Sequence, residues 1–377
     1  ERGWDTVTVP GCVSAWVELS ERFGKLAFAE LFEPGIRYAR DGYLVGPVTA
    51  NSWASQAQVL GEYAGFAETF MPGGQTPQTG EKFACPPQAQ TLQQIAETAG
   101  AAFYRGDLAE RMAADAVAHG GQLRVKDLSA HQCDWVGTAS QDYGEYTLHE
   151  IPPNGQGLAA LIALGILRNK GLSSYPVDSV DSLHLQIEAM KLALVDAYRY
   201  IADPETMDAT VEQLLDPSYL SDRADQIDLS VAGDPGHGVP AKGGTVYLTA
   251  ADANGMMVSF IQSNYMGFGS GIVVPETGIS LQNRGSGFVL QEGHPNQVGQ
   301  RKRPFQTIIP AFLTMDCEPV MSFGLMGGPM QAQGHVQMVV RLADYDQNPQ
   351  AAADAPRFQI LQGREVAIEA DFPSATL

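Results

Sequence analysis

The hydrophobic pattern along the chain changes period several times. Val13, Trp16, Val17 and Phe23 recur at helical spacing, and Leu31, Ile36 and Tyr38 repeat it across Phe28 to Arg40, with Pro34 interrupting. Residues 61–90 carry Met71-Pro72-Gly73-Gly74, Pro77 and Pro86-Pro87, which predicts loop between helices. Further helices are predicted from Thr91 to Gly100 and from Asp107 to His119, the second with Asp107 as N-cap and Gly120 past its end. Tyr146 to Ile151 alternates as a strand, Pro152-Pro153-Asn154-Gly155 breaks it, and Leu158 to Leu167 resumes as a helix. The longest helix is predicted over Val180 to Ile201, ended by Asp203-Pro204. Residues 222–244, rich in Asp, Gly and Pro, show no periodicity and predict an exposed, flexible segment. Directly after it, Val246, Leu248 and Ala250 alternate with Tyr247, Thr249 and Ala251, and Asn254-Gly255 predicts a tight hairpin turn. Ile308 to Phe312 and Val320 to Leu325 read as strands, and Gly327-Gly328-Pro329 opens a helix from Met330 to Tyr345. Periodicity alone therefore gives a fold mixing helix and strand.

Composition narrows the function classes. The 377 residues, 44% of them hydrophobic, can bury a large core, and the length suits one large domain or two smaller ones. A net charge of −20 excludes a nucleic-acid partner, because phosphate binding needs clustered cations and Arg301-Lys302-Arg303 is only a short basic run. Cys12, Cys85, Cys133 and Cys317 are widely spaced and read as small core residues, with neither a metal site nor a disulfide framework indicated. His184 and Glu188 share a helix face, but without a third ligand they read as polar decoration. No apolar run is long enough to span a membrane, and no cofactor-binding motif is present; the loop after Tyr146 to Ile151 lacks the lysine and hydroxyl residue of a phosphate loop.

The candidate chemistry centres on Thr245, which follows Gly243-Gly244 at a strand start. Glycine lets the chain fold back sharply, as a self-cleaving peptide requires. Attack by the Thr245 hydroxyl on the Gly244 carbonyl, followed by hydrolysis, would leave Thr245 as a new N-terminus whose amine, titrating near ~8, can serve as base for its own hydroxyl. A Gly-Gly-Thr tripeptide taken alone is more simply a loop running into a strand.

The wider chain changes that reading. Gly243-Gly244-Thr245 together with Gly267-Phe268-Gly269-Ser270-Gly271 resembles the start of the small subunit of the gamma-glutamyltransferase family, N-terminal-nucleophile hydrolases. Val9-Pro10-Gly11, Phe103-Tyr104-Arg105-Gly106, Gly120-Gly121, Asp127-Leu128, Pro152-Pro153-Asn154-Gly155-Gln156-Gly157, Asp203-Pro204, Lys302-Arg303-Pro304 and Gly327-Gly328-Pro329 follow in the family's order. The resemblance implies an α+β fold, the four-layer αββα sandwich. It also implies a precursor cut between Gly244 and Thr245 into a large-subunit part, residues 1–244, and a small-subunit part, residues 245–377, together one structural domain. It places the oxyanion hole on Gly327 and Gly328 and an assisting hydroxyl on Ser263. It further implies that the chain starts inside the large subunit and stops short of the last strands, leaving out an arginine for the substrate's α-carboxylate. A dimer of subunit pairs is a further expectation, and the compartment, cytoplasmic or periplasmic in a bacterial-type cell, stays open.

The chain departs from the family at the substrate pocket. Thr245-Val246-Tyr247 stands where Thr-Thr-His or Thr-Ser-His is usual. Where many members place an aspartate on the glutamyl α-amine, this chain has Asn283-Arg284-Gly285-Ser286-Gly287, and where they place a serine pair it has Phe305-Gln306-Thr307. Asn283, Ser286, Gln306 and Thr307 are the candidate substrate-binding residues. The expected activity is cleavage of gamma-glutamyl amides such as glutathione through a Thr245 acyl-enzyme. The alternatives are an acylase for glutaryl-type amides, favoured by the missing aspartate, and a non-processing scaffold or binding protein.

Overall fold

The computed structural model describes residues 2–235 and 244–377. Two compact units are formed, one from Glu1–Trp135 with Asn264–Ser286, the other from Val136–Ser263 with Gly287–Leu377. Gly244 and Thr245 both belong to the second.

The first unit is mainly helical, with helices Cys12–Phe23, Glu33–Asp41, Pro47–Leu60, Ala64–Phe70, Pro86–Glu97 and Asp107–Ala118. Pro34 and Pro86 open helices instead of breaking them, because proline's missing N–H is one that the first turn leaves unpaired anyway. The expected loop over residues 61–90 therefore contains the helix Ala64–Phe70, the short strand Lys82–Phe83 and the start of Pro86–Glu97. Asp107 is the first helical residue and Gly106 the cap. An aromatic cluster closes one core, with Trp53 edge-on to Phe83 at 4.8 Å and Phe66 edge-on to Phe268 at 5.0 Å. Phe268 sits at φ 57 within Gly267-Phe268-Gly269, and the Arg2 guanidinium holds that bend by donating to the carbonyls of Gly267 (2.8 Å) and Gly269.

The second unit carries an antiparallel four-stranded sheet in the order Ala139–Tyr143, Tyr146–Glu150, Ala311–Met315, Glu318–Phe323. The expected strand at Ile308 begins only at Ala311, since Pro310 cannot donate to a ladder and the N–H of Ile309 goes to the Gln331 side chain instead. The helix Gly157–Leu167 is apolar all round and buried at every position, as befits an element enclosed on all sides. It packs against the longest helix, Val180–Tyr200, and against the helix Met330–Ala343. Strands Gly244–Ala251 and Met257–Tyr265 form a separate hairpin. Its turn is longer than the expected two residues. Asp252 Oδ1 accepts from the N–H groups of Asn254 (2.8 Å) and Met256 (3.1 Å), and the left-handed conformation is needed at Gly255 (φ 86). Among the described residues no helix is long and apolar enough to cross a membrane.

Of the segment expected to be exposed ahead of Thr245, residues 236–243 lie outside the described residues. Its earlier part is anchored. Pro217–Ala224 is a helix, and Gly233 is gripped by a buried ion pair, with Lys191 Nζ donating to its carbonyl (3.0 Å) and Glu188 Oε2 accepting its N–H (3.1 Å). Glu188 and Lys191 are themselves 2.8 Å apart and almost fully enclosed, so Glu188 is core rather than decoration, while His184 bonds the Asp228 carbonyl. The four cysteines are free; Cys317 is exposed in a turn, not a core residue.

Breaking this pair strands a buried charge. Glu188→Ala should lose roughly 3–5 kcal/mol in urea unfolding, whereas the double change Glu188→Leu with Lys191→Met should lose far less. Equal losses in the two proteins would show that the pair is not buried in solution.

Candidate active site

Side chains at Thr245, Tyr247 and Thr249 lie on one side of their strand because successive residues alternate. The period-2 alternation holds, and the aliphatic side is the outer one: Val246 is 60% and Leu248 47% exposed, while Thr245 is buried at 9%. Hydroxyl bonds tie the other side to neighbouring segments, from buried Thr245 to half-buried Tyr247 and exposed Thr249. Thr245 Oγ1 donates to Ser263 Oγ at 3.1 Å, Tyr247 and Ser259 share a hydroxyl bond at 2.9 Å, and Thr249 bonds Ser322. Burial pushes the Tyr247 phenol up from its ordinary value, so it stays neutral at physiological pH.

Two contacts set this strand against the one leading to Gly327-Gly328. Thr249 meets Ser322, and the Tyr247 ring occupies the space where a Cβ on Gly324 would sit, 2.5 Å from it. Each step of two residues back along one strand is a step of two forward along the other. The strand Glu318–Phe323 ends just before the Gly324 contact, and the chain runs on through Met326 to Gly327-Gly328. Gly327 (φ 116) and Gly328 (φ 61) adopt conformations that other residues resist, and their N–H groups donate to no protein acceptor among the described residues. Pro329 then leads into the helix Met330–Ala343.

The Pro152-Pro153-Asn154-Gly155-Gln156-Gly157 motif lies behind this loop. Gln306 donates its N–H to the Asn154 carbonyl (2.9 Å) and accepts at its own carbonyl from Gln156 N (2.8 Å). The Gln156 side-chain amide donates to the carbonyls of Thr307 (2.6 Å) and Gly328 (2.9 Å). Thr245, Ser263, Gln306, Thr307, Gly327 and Gly328 thus all belong to the second unit. Asn283 and Ser286 belong to the first. There Asn283 is fully buried, its Oδ1 accepting from Met266 N (3.2 Å), and its carbonyl takes the Ser286 N–H (3.1 Å). Between them Arg284 is buried against the Tyr265 ring, 4.8 Å from its centroid, and desolvation lowers its pKa to about 10.

The profile of the gamma-glutamyltranspeptidase family matches residues 1–377. The chain belongs to this family. A glutathione hydrolase-like proenzyme of Bacillus subtilis is 35% identical over 358 residues, 95% of this chain and 68% of the relative. An oxamate amidohydrolase proenzyme of Klebsiella pneumoniae is 37% identical over 340 residues, 89% of this chain and 64% of the relative. The chain therefore spans about two thirds of the length of these curated relatives. A crystal structure of a cephalosporin acylase from Bacillus halodurans superposes with a TM-score of 0.94 at 46% identity, covering 99% of this chain and 69% of that one. The family fold is the expected N-terminal-nucleophile hydrolase fold, α+β.

Sequence reasoning passed over one buried pair that joins a strand of the four-stranded sheet to the helix Met330–Ala343. Glu150, at the end of strand Tyr146–Glu150, and His335, on the helix that follows Gly328, are both fully buried and joined at 2.5 Å through His335 Nδ1. Neither residue falls in a recognisable motif, so only the tertiary fold reveals the pair. Burial raises the Glu150 carboxyl above the ordinary carboxylate range, and His335 offsets this only in part.

A carboxyl raised on folding keeps its proton to higher pH in the native than in the unfolded chain. The stability it contributes is complete below the unfolded value and is lost as pH rises through the folded one. Thermal unfolding followed from pH 4 upward should show this decline in the wild-type protein and a flatter profile in Glu150→Gln. Parallel profiles would mean that Glu150 ionises normally.

Proposed function

We propose that this chain forms the nucleophile and oxyanion loop of an autoprocessed amidohydrolase that cleaves gamma-glutamyl amides, glutathione among them, through a threonine acyl-enzyme. In maturation Thr245 Oγ attacks the Gly244 carbonyl carbon, the Gly244–Thr245 C–N bond breaks, and the hydroxyl proton passes to the departing amine. Water then hydrolyses the resulting ester, releasing the Gly244 carboxylate and leaving Thr245 with a free amine and its hydroxyl restored. In turnover that amine takes the hydroxyl proton as Thr245 Oγ attacks the substrate amide carbon and passes it to the leaving amine as the C–N bond breaks; water then hydrolyses the ester, releasing the acid and restoring the hydroxyl, which Ser263 steadies through its hydrogen bond. The N–H groups of Gly327 and Gly328 stabilise the tetrahedral oxyanion. Gln306 and Thr307 contact the acyl group. The observation that carries this reading is Thr245 buried at a strand start directly after Gly244, with its hydroxyl 3.1 Å from that of Ser263.

On this reading the wild-type precursor yields two chains that stay associated, Thr245→Ala remains one chain, and Thr245→Ser is cut more slowly. Intact mass and N-terminal sequencing check this. Efficient cutting of Thr245→Ala would sink the mechanism.

A second reading, an acylase on the same scaffold for glutaryl-type amides, is favoured by the segment assigned to the substrate's α-amine. It carries no carboxylate, and its charged residue is Arg284, a cation. A substrate ammonium meeting neutral acceptors gains about 1 kcal/mol from each, against roughly 1.5–3 from a charged partner. Preference for a gamma-glutamyl over a glutaryl anilide in kcat/KM should therefore be on the order of tenfold or less. A preference of roughly a thousandfold would show that some carboxylate binds the α-amine after all, and would reject the acylase reading.

A further inference from the structure

We infer that Gln156 is a positioning residue for the reaction: its side-chain amide fixes the Gly327-Gly328 loop by tying the Gly328 carbonyl to that of Thr307. The inference rests on the proposed Thr245 acyl-enzyme chemistry and deepens it.

Both carbonyls can accept only from a donor, so the nitrogen end of the Gln156 amide must face them, at 2.6 Å from Thr307 O and 2.9 Å from Gly328 O. One side-chain nitrogen with two hydrogens thus serves two carbonyls. Its base is rigid. The Gln156 N–H donates to Gln306 O (2.8 Å), its carbonyl accepts from Ala159 N (2.9 Å), and the helix Gly157–Leu167 follows directly. The approach of that helix is close, since a Cβ on Gly157 would lie 2.6 Å from Glu150 Cβ. Gln156 is fully buried, so water does not compete for the two carbonyls. Its Oε1 has no partner among the described residues, an arrangement that offends the rule that buried polar atoms are paired. Such departures cluster where function requires a particular geometry.

The tether matters because of what it holds. Gly328 (φ 61) has a backbone freer than that of any other residue type, and the direction of its N–H depends on how its peptide groups are set. Its carbonyl takes one bond from Gln156 and another from Gln331 N at 3.1 Å, and Pro329 restricts the far side. Without Gln156 the helix end alone restrains the loop. Small misplacements of groups around reacting atoms are costly, about a hundredfold for ~1 Å.

The experiment uses purified, fully processed enzyme and a chromogenic anilide that the wild type hydrolyses, with active sites counted from the acyl-enzyme burst. Gln156→Met keeps the volume and loses both donors. Its kcat per titrated site should fall roughly ten- to a hundredfold, with KM within about threefold of wild type. Gln156→Glu gives a second readout. The ionised carboxylate turns only acceptors toward the two carbonyls, whereas the protonated form supplies one O–H, so its kcat should rise as pH falls, with a limb absent from the wild-type profile. This variant also carries the test if the methionine protein does not fold. The inference is overturned by wild-type kcat per site in Gln156→Met, by a loss confined to the number of titratable sites, or by a Gln156→Glu profile that matches wild type. If the wild-type enzyme forms no acyl-enzyme at Thr245, the proposed function itself falls and this inference with it.

Discussion

A strand that leaves its aliphatic side chains exposed gains little from the hydrophobic effect, so it must be held by bonds made on its polar side. In the strand Gly244–Ala251 those bonds are Thr245 to Ser263, Tyr247 to Ser259 and Thr249 to Ser322. Each is individually modest, about 1 kcal/mol. Together they fix which side of the strand faces its neighbours, and a slip of one residue would turn every one of these groups away from its partner. Placement of the Thr245 hydroxyl therefore depends on a polar ladder, and that ladder also sets the strand's level against the approach to Gly327-Gly328.

That alignment needs space as well as bonds. Gly324 leaves room for the Tyr247 ring, and Gly157 for close approach to Glu150. The two glycines further on are needed for conformation, since φ values of 116 and 61 are costly for a residue with a side chain. Glycine thus performs two different tasks within a few residues, admitting a neighbour at position 324 and bending the backbone at positions 327 and 328. A loop built this way is intrinsically loose, which is why its carbonyl contacts to Gln156 and Gln331 carry structural weight.

Much of the scaffold was legible because period and punctuation are local. Helices at Val13, Asp107, Leu158, Val180 and Met330 and the strands at Tyr146 and Val246 follow from spacing, and the observed bounds differ by few residues. Prolines misled where their role depends on position, as at Pro34 and Pro86, which start helices, and at Pro310, which delays a strand. Thr245 stands out from a bare Gly-Gly-Thr only within a series of motifs in family order. The side of its strand that is buried is not legible there, because alternation is symmetric and hydrophobicity points the other way. Gln156 was visible within a motif, but its two carbonyl partners lie 151 and 172 residues away in sequence, and nothing local announces them.

Buried ionisable pairs supply the remaining support, and their placement follows a common logic. Lys191 and Glu188 hold Gly233 by both its N–H and its carbonyl, on the chain segment that leads toward Thr245. Glu150 and His335 join the strand ahead of the Pro152–Gly157 turn to the helix behind Gly328. Apolar pairs of similar size could pack as stably, since desolvation offsets much of the attraction between buried charges. An apolar contact, however, tolerates sliding, whereas a buried hydrogen-bonded pair, or a grip on both the N–H and the carbonyl of one residue, keeps its geometry in a single arrangement. Both pairs stand where a segment's position matters more than its stability: one where the chain approaches the proposed scissile bond, the other at the helix that follows the loop proposed to receive the oxyanion.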